Sequence, residues 1–302
     1  MKGRSLMLGD CKHYASPYMR GIAQAMKLLG YQHAEVSIRT PARTIEQRVR
    51  MWKPDVIWTH MLLWPPLGSP PVHELIAIVE AAARRGARVV IHDGDAKPAT
   101  RYTRNISAWC RLALVNHAYD RSAWGVPLLR WPYFAQAQGR IAAAADAARC
   151  ELFFAGTVAN GATYSARSAL LEAIRARGVD LRIPAATQNT LDRTPEIAAS
   201  ANAVLGFGRP DVPGWVDTRV FQYPGAGGIL LHDDVQGYLE PWAHFVPYRS
   251  GDPDSVVDAL ERLRAMTGAE RLTLRQRAFA YVQERHSSVA RAHQVLRQLE
   301  AA

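Results

Sequence analysis

The tripeptide Asp93-Gly94-Asp95 follows directly on the run Val89-Val90-Ile91-His92. Two carboxylates at that spacing offer hard oxygen ligands to a divalent cation, and one alone can take the proton of an attacking hydroxyl. His60, after Val56-Ile57-Trp58-Thr59, is a third group able to act as that base. Each has a bland reading too, since a strand-end Asp is a common turn former or helix cap. Further along, Thr218-Arg219-Val220-Phe221-Gln222-Tyr223-Pro224-Gly225-Ala226-Gly227-Gly228 runs straight into Ile229-Leu230-Leu231. The missing side chains at Gly225, Gly227 and Gly228 let a phosphate or ribose come close to the backbone, and Arg219 and Arg209 would attract a diphosphate. Arg219 has a structural alternative, an ion pair with Asp217 or Asp233 on the domain surface.

Such residues meet a ligand when they sit beyond the carboxyl ends of parallel strands. Short aliphatic runs alternate with stretches of helical period, the pattern of α/β units around a parallel sheet. In the first half the strands are expected at 4–8, 34–38, 55–59, 88–92, 112–115 and 127–130, with a helix over 73–85 that ends at Gly86. A second series places strands at 152–155, 179–183, 203–207, 228–231 and 244–247. Its helices fall over 164–177, after Thr194-Pro195, and after Asp252 with Pro253 at the first position. The tail over 269–299 reads as two helical pieces broken near His286-Ser287-Ser288. The expected fold class is α/β, two Rossmann-like doubly wound domains facing across a cleft. The expected domains are 1–132 and 151–284, with a linker at 133–150 and a helix at 285–302 whose apolar positions suggest packing against something already folded.

Several segments, in order, resemble one family. The 218–231 run resembles the R-x-F-E…G-G-x-x-L segment of GT-B glycosyltransferases, particularly the CgeB-like and family-4-like (group 1) proteins. Phe153-Phe154-Ala155-Gly156-Thr157, followed by Tyr164 and Arg167, resembles the F-x-G-[ST]…Y-x-x-R opening of their donor-binding domain. His286-Ser287-Ser288 with Arg291 resembles the H-T-x-x-x-R start of their closing helix, which implies that the helix at 285–302 crosses back to the first domain. The likeness covers roughly residues 150–300. It implies a nucleotide-sugar pocket formed by Gly156, Thr157, Arg167, Arg209, Arg219, Phe221, Gln222, Tyr223, Gly225, Gly227 and Gly228. One departure stands out: the family's usual ribose-binding Glu is Gln222, which accepts through its amide oxygen and also donates. The resemblance also places acceptor binding in the first half, with Asp93, Asp95 and His60 as ranked bases and Asp10 and His13 as acceptor contacts. A metal-dependent GT-A enzyme using Asp93 and Asp95 is a rival, but it leaves the glycine-rich segment without a role.

Charge narrows the acceptor. The chain of 302 residues carries 37 basic and 27 acidic residues, a net charge of +10. Residues 1–150 hold 16 Arg and 5 Lys against 10 acidic residues, net +11, and the remainder is close to neutral at −1. Arg43, Arg48 and Arg50 lie near Trp52, and Arg101 and Arg104 beside Tyr102. Arginine interleaved with aromatics suits phosphate backbones and exposed bases. The expected activity is therefore transfer of a sugar from a nucleoside-diphosphate sugar, UDP-linked for preference, to an anionic acceptor. A hydroxymethylated pyrimidine in DNA leads. Alternatives are a lipid-linked or cell-surface glycan acceptor and a non-catalytic nucleic-acid-binding protein on a degenerate GT-B scaffold. No metal or other cofactor is expected. Cys11, Cys110 and Cys150 match no disulfide or zinc spacing, and no run is apolar enough for a signal peptide or membrane span, so a cytoplasmic location is expected.

Overall fold

Val, Ile and Leu fill the short runs because strands covered on both faces must be apolar on both. The computed structural model describes residues 2–9, 16–60, 62–63, 65–93, 105–130, 141, 150–156, 158, 162–184, 193–208, 212 and 214–301. They divide into two units, Met1–Pro132 with Ser288–Ala302, and Tyr133–Ser287.

The first unit runs β1 (Gly3–Gly9), α1 (Ser16–Leu28), β2 (Tyr31–Ser37), α2 (Ala42–Trp52), β3 (Val56–His60), α3 (Val72–Arg84), β4 (Arg88–Asp93), β5 (Cys110–Val115) and β6 (Leu128–Arg130). Its parallel sheet has the order β2-β1-β3-β4-β5-β6. On one face Leu6, Leu8, Ile57, Val89 and Ile91 form a core with Ile45 and Val49 of α2 and Leu75, Val79 and Ala82 of α3. The alternate residues Met7, Trp58, Val90 and Leu114 are buried as well. Helices α1 and α3 are followed by glycines in the left-handed region, Gly30 (φ 88°) and Gly86 (φ 97°), where a side chain is disfavoured. Helix α2 instead ends on Lys53 at φ 48°, ψ 63°.

The second unit runs β7 (Cys150–Phe153), α4 (Ala162–Ala176), β8 (Leu181–Arg182), α5 (Thr194–Ser200), β9 (Ala201–Leu205), α6 (Arg219–Gln222), β10 (Leu230–His232), β11 (Val246–Pro247), α7 (Pro253–Ala265) and α8 (Gly268–His286). Its parallel sheet has the order β11-β10-β9-β7-β8. Asp252 caps α7 by accepting from the backbone N–H of Asp254 and Ser255, with Pro253 behind it. Thr267 and Glu270 form a capping box at α8. A last helix, α9 (Ser288–Ala301), packs on α1 in the first unit and buries Ala292, Val295, Leu296 and Leu299.

Strands β8 and β11, at the two edges of their sheet, are shorter than their apolar runs. Strand β10 begins two residues late, since Gly228 donates its N–H back to the Tyr223 carbonyl at 2.8 Å and belongs to the preceding turn. Cys110 and Cys150 are buried free thiols, and burial pushes Cys110 up to about 12. Among the described residues no helix is long and apolar enough to cross a membrane.

Candidate functional site

In the second unit, polar groups converge at the carboxyl ends of β7, β9 and β10. Arg219 opens α6 and turns back toward β7, where its Nε donates to the Ala155 carbonyl at 2.5 Å. Its guanidinium pairs with Asp217, whose Oδ1 also accepts the Arg219 backbone N–H at 3.1 Å. This is the ion pair expected as the structural alternative, but it is buried rather than on the surface, with the two side chains 14% and 10% exposed. Arg219 sits over the Phe154 ring at 5.3 Å. Arg167, from α4, lies 5.7 Å from the Phe154 centroid and 5.4 Å from that of Phe207. Burial holds Arg219 down at about 10, and the nearby Arg167 charge adds to the fall. Two guanidinium groups thus flank one aromatic ring, with a single carboxylate on Arg219. Gly156 makes the arrangement possible, because a Cβ there would collide with the Arg219 guanidinium and the Phe154 ring.

The glycine turn lies alongside. After α6, residues Pro224–Ala226 form a 3-10 turn that ends at Gly227 with φ 79°. A Cβ on Gly227 would stand 2.9 Å from the Ile141 Cα, a backbone atom that cannot swing away. Helix α8 grips this turn by its carbonyls: Arg275 Nε donates to Gly227 O at 2.5 Å and Gln283 Nε2 to Gly225 O at 2.8 Å. Phe221 is fully buried and stacks on His286 at 4.5 Å. Tyr223 is buried, which pushes its phenol up to about 12. Gln222 is half-buried, and its Oε1 is enclosed without a hydrogen-bond partner. It is an enclosed, unpartnered acceptor where the resemblance expects a Glu.

Beyond β9 and β10, Asp233 is fixed by the Gly208 N–H at 2.6 Å and the Ser250 hydroxyl at 2.9 Å. Burial pushes its carboxyl up, but these bonds and His232 outweigh it and leave the group below the usual range. Tyr248 donates to Gly206 O at 2.7 Å.

In the first unit, the carboxyl ends of β3, β4 and β5 carry a separate polar cluster. Asp93 is 1% exposed; its Oδ2 accepts from Arg121 Nε at 2.8 Å and from His117 Nε2 at 3.0 Å. The Tyr119 backbone N–H points at His117 Nδ1 at 3.2 Å, so Nδ1 accepts and Nε2 carries the proton. Asp93 Oδ1 and both amide atoms of the buried Asn116 lack a partner. His60, level with His92 in the β3–β4 register, stacks on it at 5.5 Å. Burial, with His60 and His117 near by, keeps the His92 imidazole well below its ordinary value and therefore neutral. Asp93 is thus a buried carboxylate with one oxygen held by a cation and an imidazole. Arg43, Arg48 and Arg50 are exposed on α2. The helical period sets Arg43 and Arg50 on one face, with Arg48 well round from it.

Asp10, His13, Asp95, Arg101, Arg104, Thr157 and Arg209 lie outside the described residues. Sequence reasoning had not singled out Arg121, Ser250, Tyr248, Arg275 or Gln283. The first four touch the site through partners far away in sequence, and Gln283 reads as an ordinary helix-surface residue.

Residues 166–297 match the family described as Glycosyl transferase-like. No curated protein gives a significant match. Among solved structures, a glycosyltransferase from Rickettsia africae ESF-5 superposes with a TM-score of 0.65 at 7% identity, over 100% of this chain and 99% of that one. The T4 phage β-glucosyltransferase, in complex with its UDP-glucose substrate, gives 0.62 at 9% identity over 98% and 99%. A UDP-forming trehalose-phosphate synthase from Burkholderia xenovorans gives 0.54 at 12% identity over 98% of each chain. The chain has the GT-B fold, two Rossmann-like parallel-sheet units, and its residues 166–297 match the glycosyl transferase-like family.

Proposed function

We propose that the chain transfers a sugar from a nucleoside-diphosphate sugar, UDP-linked for preference, to a hydroxyl of an anionic acceptor. The observation that carries this reading is the pair Arg167 and Arg219 set around Phe154, with Gln222 three residues after Arg219 on α6 and its Oε1 unpartnered. Negative charge grows on the diphosphate as the anomeric bond breaks, and preorganised guanidinium groups in a dry site favour that state over the ground state. Gln222 Oε1 accepts from a ribose hydroxyl, and the turn at 225–228 brings backbone close to the nucleotide. Asp93, Asp95 or His60 takes the acceptor proton. In Asp93, Oδ1 is the oxygen left for that task, since Oδ2 is occupied by Arg121 and His117. No metal is required, because Arg167 and Arg219 supply the positive charge.

A hydroxymethylated pyrimidine in DNA is the acceptor we favour. The net +11 of residues 1–150 supports it, and so does the likeness to a structure described as a DNA-modifying β-glucosyltransferase. The test is a thermal-shift panel of UDP, UDP-glucose and other nucleotide sugars, followed by transfer of labelled sugar to DNA with and without hydroxymethylated bases. Stabilisation by a UDP-sugar and label on the modified DNA are expected. A panel that stabilises nothing overturns the transferase site, and label on glycolipid instead of DNA overturns the acceptor. Gln222, in place of the usual Glu, favours one second reading, a DNA-binding scaffold without transfer; it leaves salt-sensitive binding and no label.

A further inference from the structure

Helix α2 carries Arg43, Gln47 and Arg50 at i, i+4 and i+7, on one exposed face. Arg43 and Arg50, with Glu46, Gln47 and Met51, line an open hollow of about 480 Å³. Arg50 is shared with a second hollow of about 540 Å³, where Lys53 and Arg85 join it across the ends of α2 and α3. The acidic groups there are Glu46 and Asp55, and Asp55 is already engaged by the Arg4 backbone N–H at 2.6 Å.

Two observations bear on these cations. First, Arg43, Arg48, Arg50, Lys53 and Arg85 make no side-chain ion pair with any described residue. In the second unit Arg177 pairs with Asp254, Arg193 with Glu196, Arg249 with Asp252 and Arg264 with Glu151, while the exposed Arg182, Arg262 and Arg277 do not; what sets the first-unit group apart is that its cations gather around two adjoining hollows. Second, Lys53 holds a left-handed backbone conformation at the end of α2, where α1, α3 and α4 are followed by Gly30, Gly86 and Gly178. A lysine there takes a backbone conformation that favours glycine, and it sets a cation at the mouth of the second hollow.

The second hollow also lies at the far end of the sheet from the polar cluster. Asp55 and Ala87 precede β3 and β4, whereas His60 and Asp93 close them. A five-residue strand separates the two ends by roughly 16 Å, and the eleven residues of α2 span a similar length. A monomeric acceptor is too small to touch both ends; a polyanion with phosphates along its length does so easily.

We propose that the face formed by Arg43, Arg50, Lys53 and Arg85 docks the phosphate backbone of duplex DNA, remote from the reacting hydroxyl. This rests on the reading of DNA as acceptor. It is tested with a fluorescent 20-base-pair duplex, titrated by anisotropy across a series of NaCl concentrations. The triple variant Arg50→Glu/Lys53→Glu/Arg85→Glu is expected to bind at least tenfold more weakly at 0.1 M salt. Its slope of log affinity against log salt falls by about 2 to 3, near 0.9 per lost phosphate contact. Lys53→Gly removes the charge and suits the backbone, so it should melt no lower than the wild type yet bind roughly fivefold more weakly, with a slope lower by about 1. Arg249→Ala, from an internal ion pair, should leave binding unchanged.

Unaltered affinity and slope in the triple variant and in Lys53→Gly overturn the proposal. So does a wild type that binds vesicles of 30% phosphatidylglycerol in preference to DNA and loses them in the same variants, which assigns the face to an anionic membrane. UDP-glucose thermal shifts run on the same samples separate the two readings. If the variants lose DNA while no form responds to UDP-glucose, the docking face stands and the transfer reading falls. If all respond to UDP-glucose and none loses DNA, the docking face falls and donor binding stands.

Discussion

Replacing Asp217 by Asn leaves the Arg219 guanidinium buried without its carboxylate. Both side chains are nearly enclosed, at 14% and 10% exposure. Breaking such a pair from one side costs about 3–5 kcal/mol, because the remaining charge keeps its desolvation penalty. The Nε bond to the Ala155 carbonyl survives in the variant and recovers part of this, so about 3 kcal/mol is the working figure. For a unit of this size that is a fall in Tm of roughly 6–12 °C. Arg219→Gln should cost a similar amount, and the double variant much less than the sum, because it leaves neither charge buried. Calorimetric melts of the wild type, the two single variants and the double variant give the coupling. A donor diphosphate replaces the missing carboxylate, so UDP-glucose should raise the Tm of Asp217→Asn more than that of the wild type. Additive losses, with coupling below about 0.5 kcal/mol, would refute the idea that the two residues act as one buried pair. A smaller UDP-glucose response in Asp217→Asn would refute the view that Arg219 is held ready for an anion.

Gly227→Ala should destabilise the second unit by about 1–2 kcal/mol from the left-handed backbone alone and by more from the Ile141 backbone, read as a lowered urea midpoint. His33 is lowered to about 4, chiefly by burial and then by the Lys27 charge. The unfolded chain therefore binds a proton near pH 6.5 that the folded chain refuses. Its contribution is full above pH 6.5 and declines by up to about 1.4 kcal/mol per pH unit between 6.5 and 4; His33→Gln should flatten that slope by one proton in pH-dependent melts. Labelled-sugar transfer should persist in EDTA, whereas loss with recovery on adding Mn²⁺ would return the diphosphate to a metal held by Asp93 and Asp95.

What the sequence disclosed follows from how local each signal is. The apolar runs at 56–59 and 89–91 name β3 and β4 because strand burial is written in consecutive residues. Asp252-Pro253 names the start of α7 because a cap lies next to what it caps. The glycine turn was legible for the same reason, since Gly225, Gly227 and Gly228 stand together. Arg121 on Asp93 spans 28 residues, Arg275 on Gly227 spans 48, and Arg219 on the Ala155 carbonyl spans 64. No periodicity encodes such distances. Arg219 was recognisable as a cation near glycines, but its burial depends on Phe154 and Gly156 arriving from another strand. Likewise Arg43 and Arg50 were legible only as cations near Trp52; their common face needed α2, and the meeting of Lys53 with Arg85 needed the sheet to bring the ends of α2 and α3 together.

Helix α9 is separated from α8 by Ser287 alone, yet it belongs to the first unit, while α8 belongs to the second. A nascent first unit therefore emerges with α1 lacking its neighbour and waits while some 155 residues of the second are made. The two halves are bound in time as well as in space: a lesion that stalls the second unit strands an unfinished first one. A chain cut after residue 287 should leave the α1 surface that α9 covers open to chaperones and proteases.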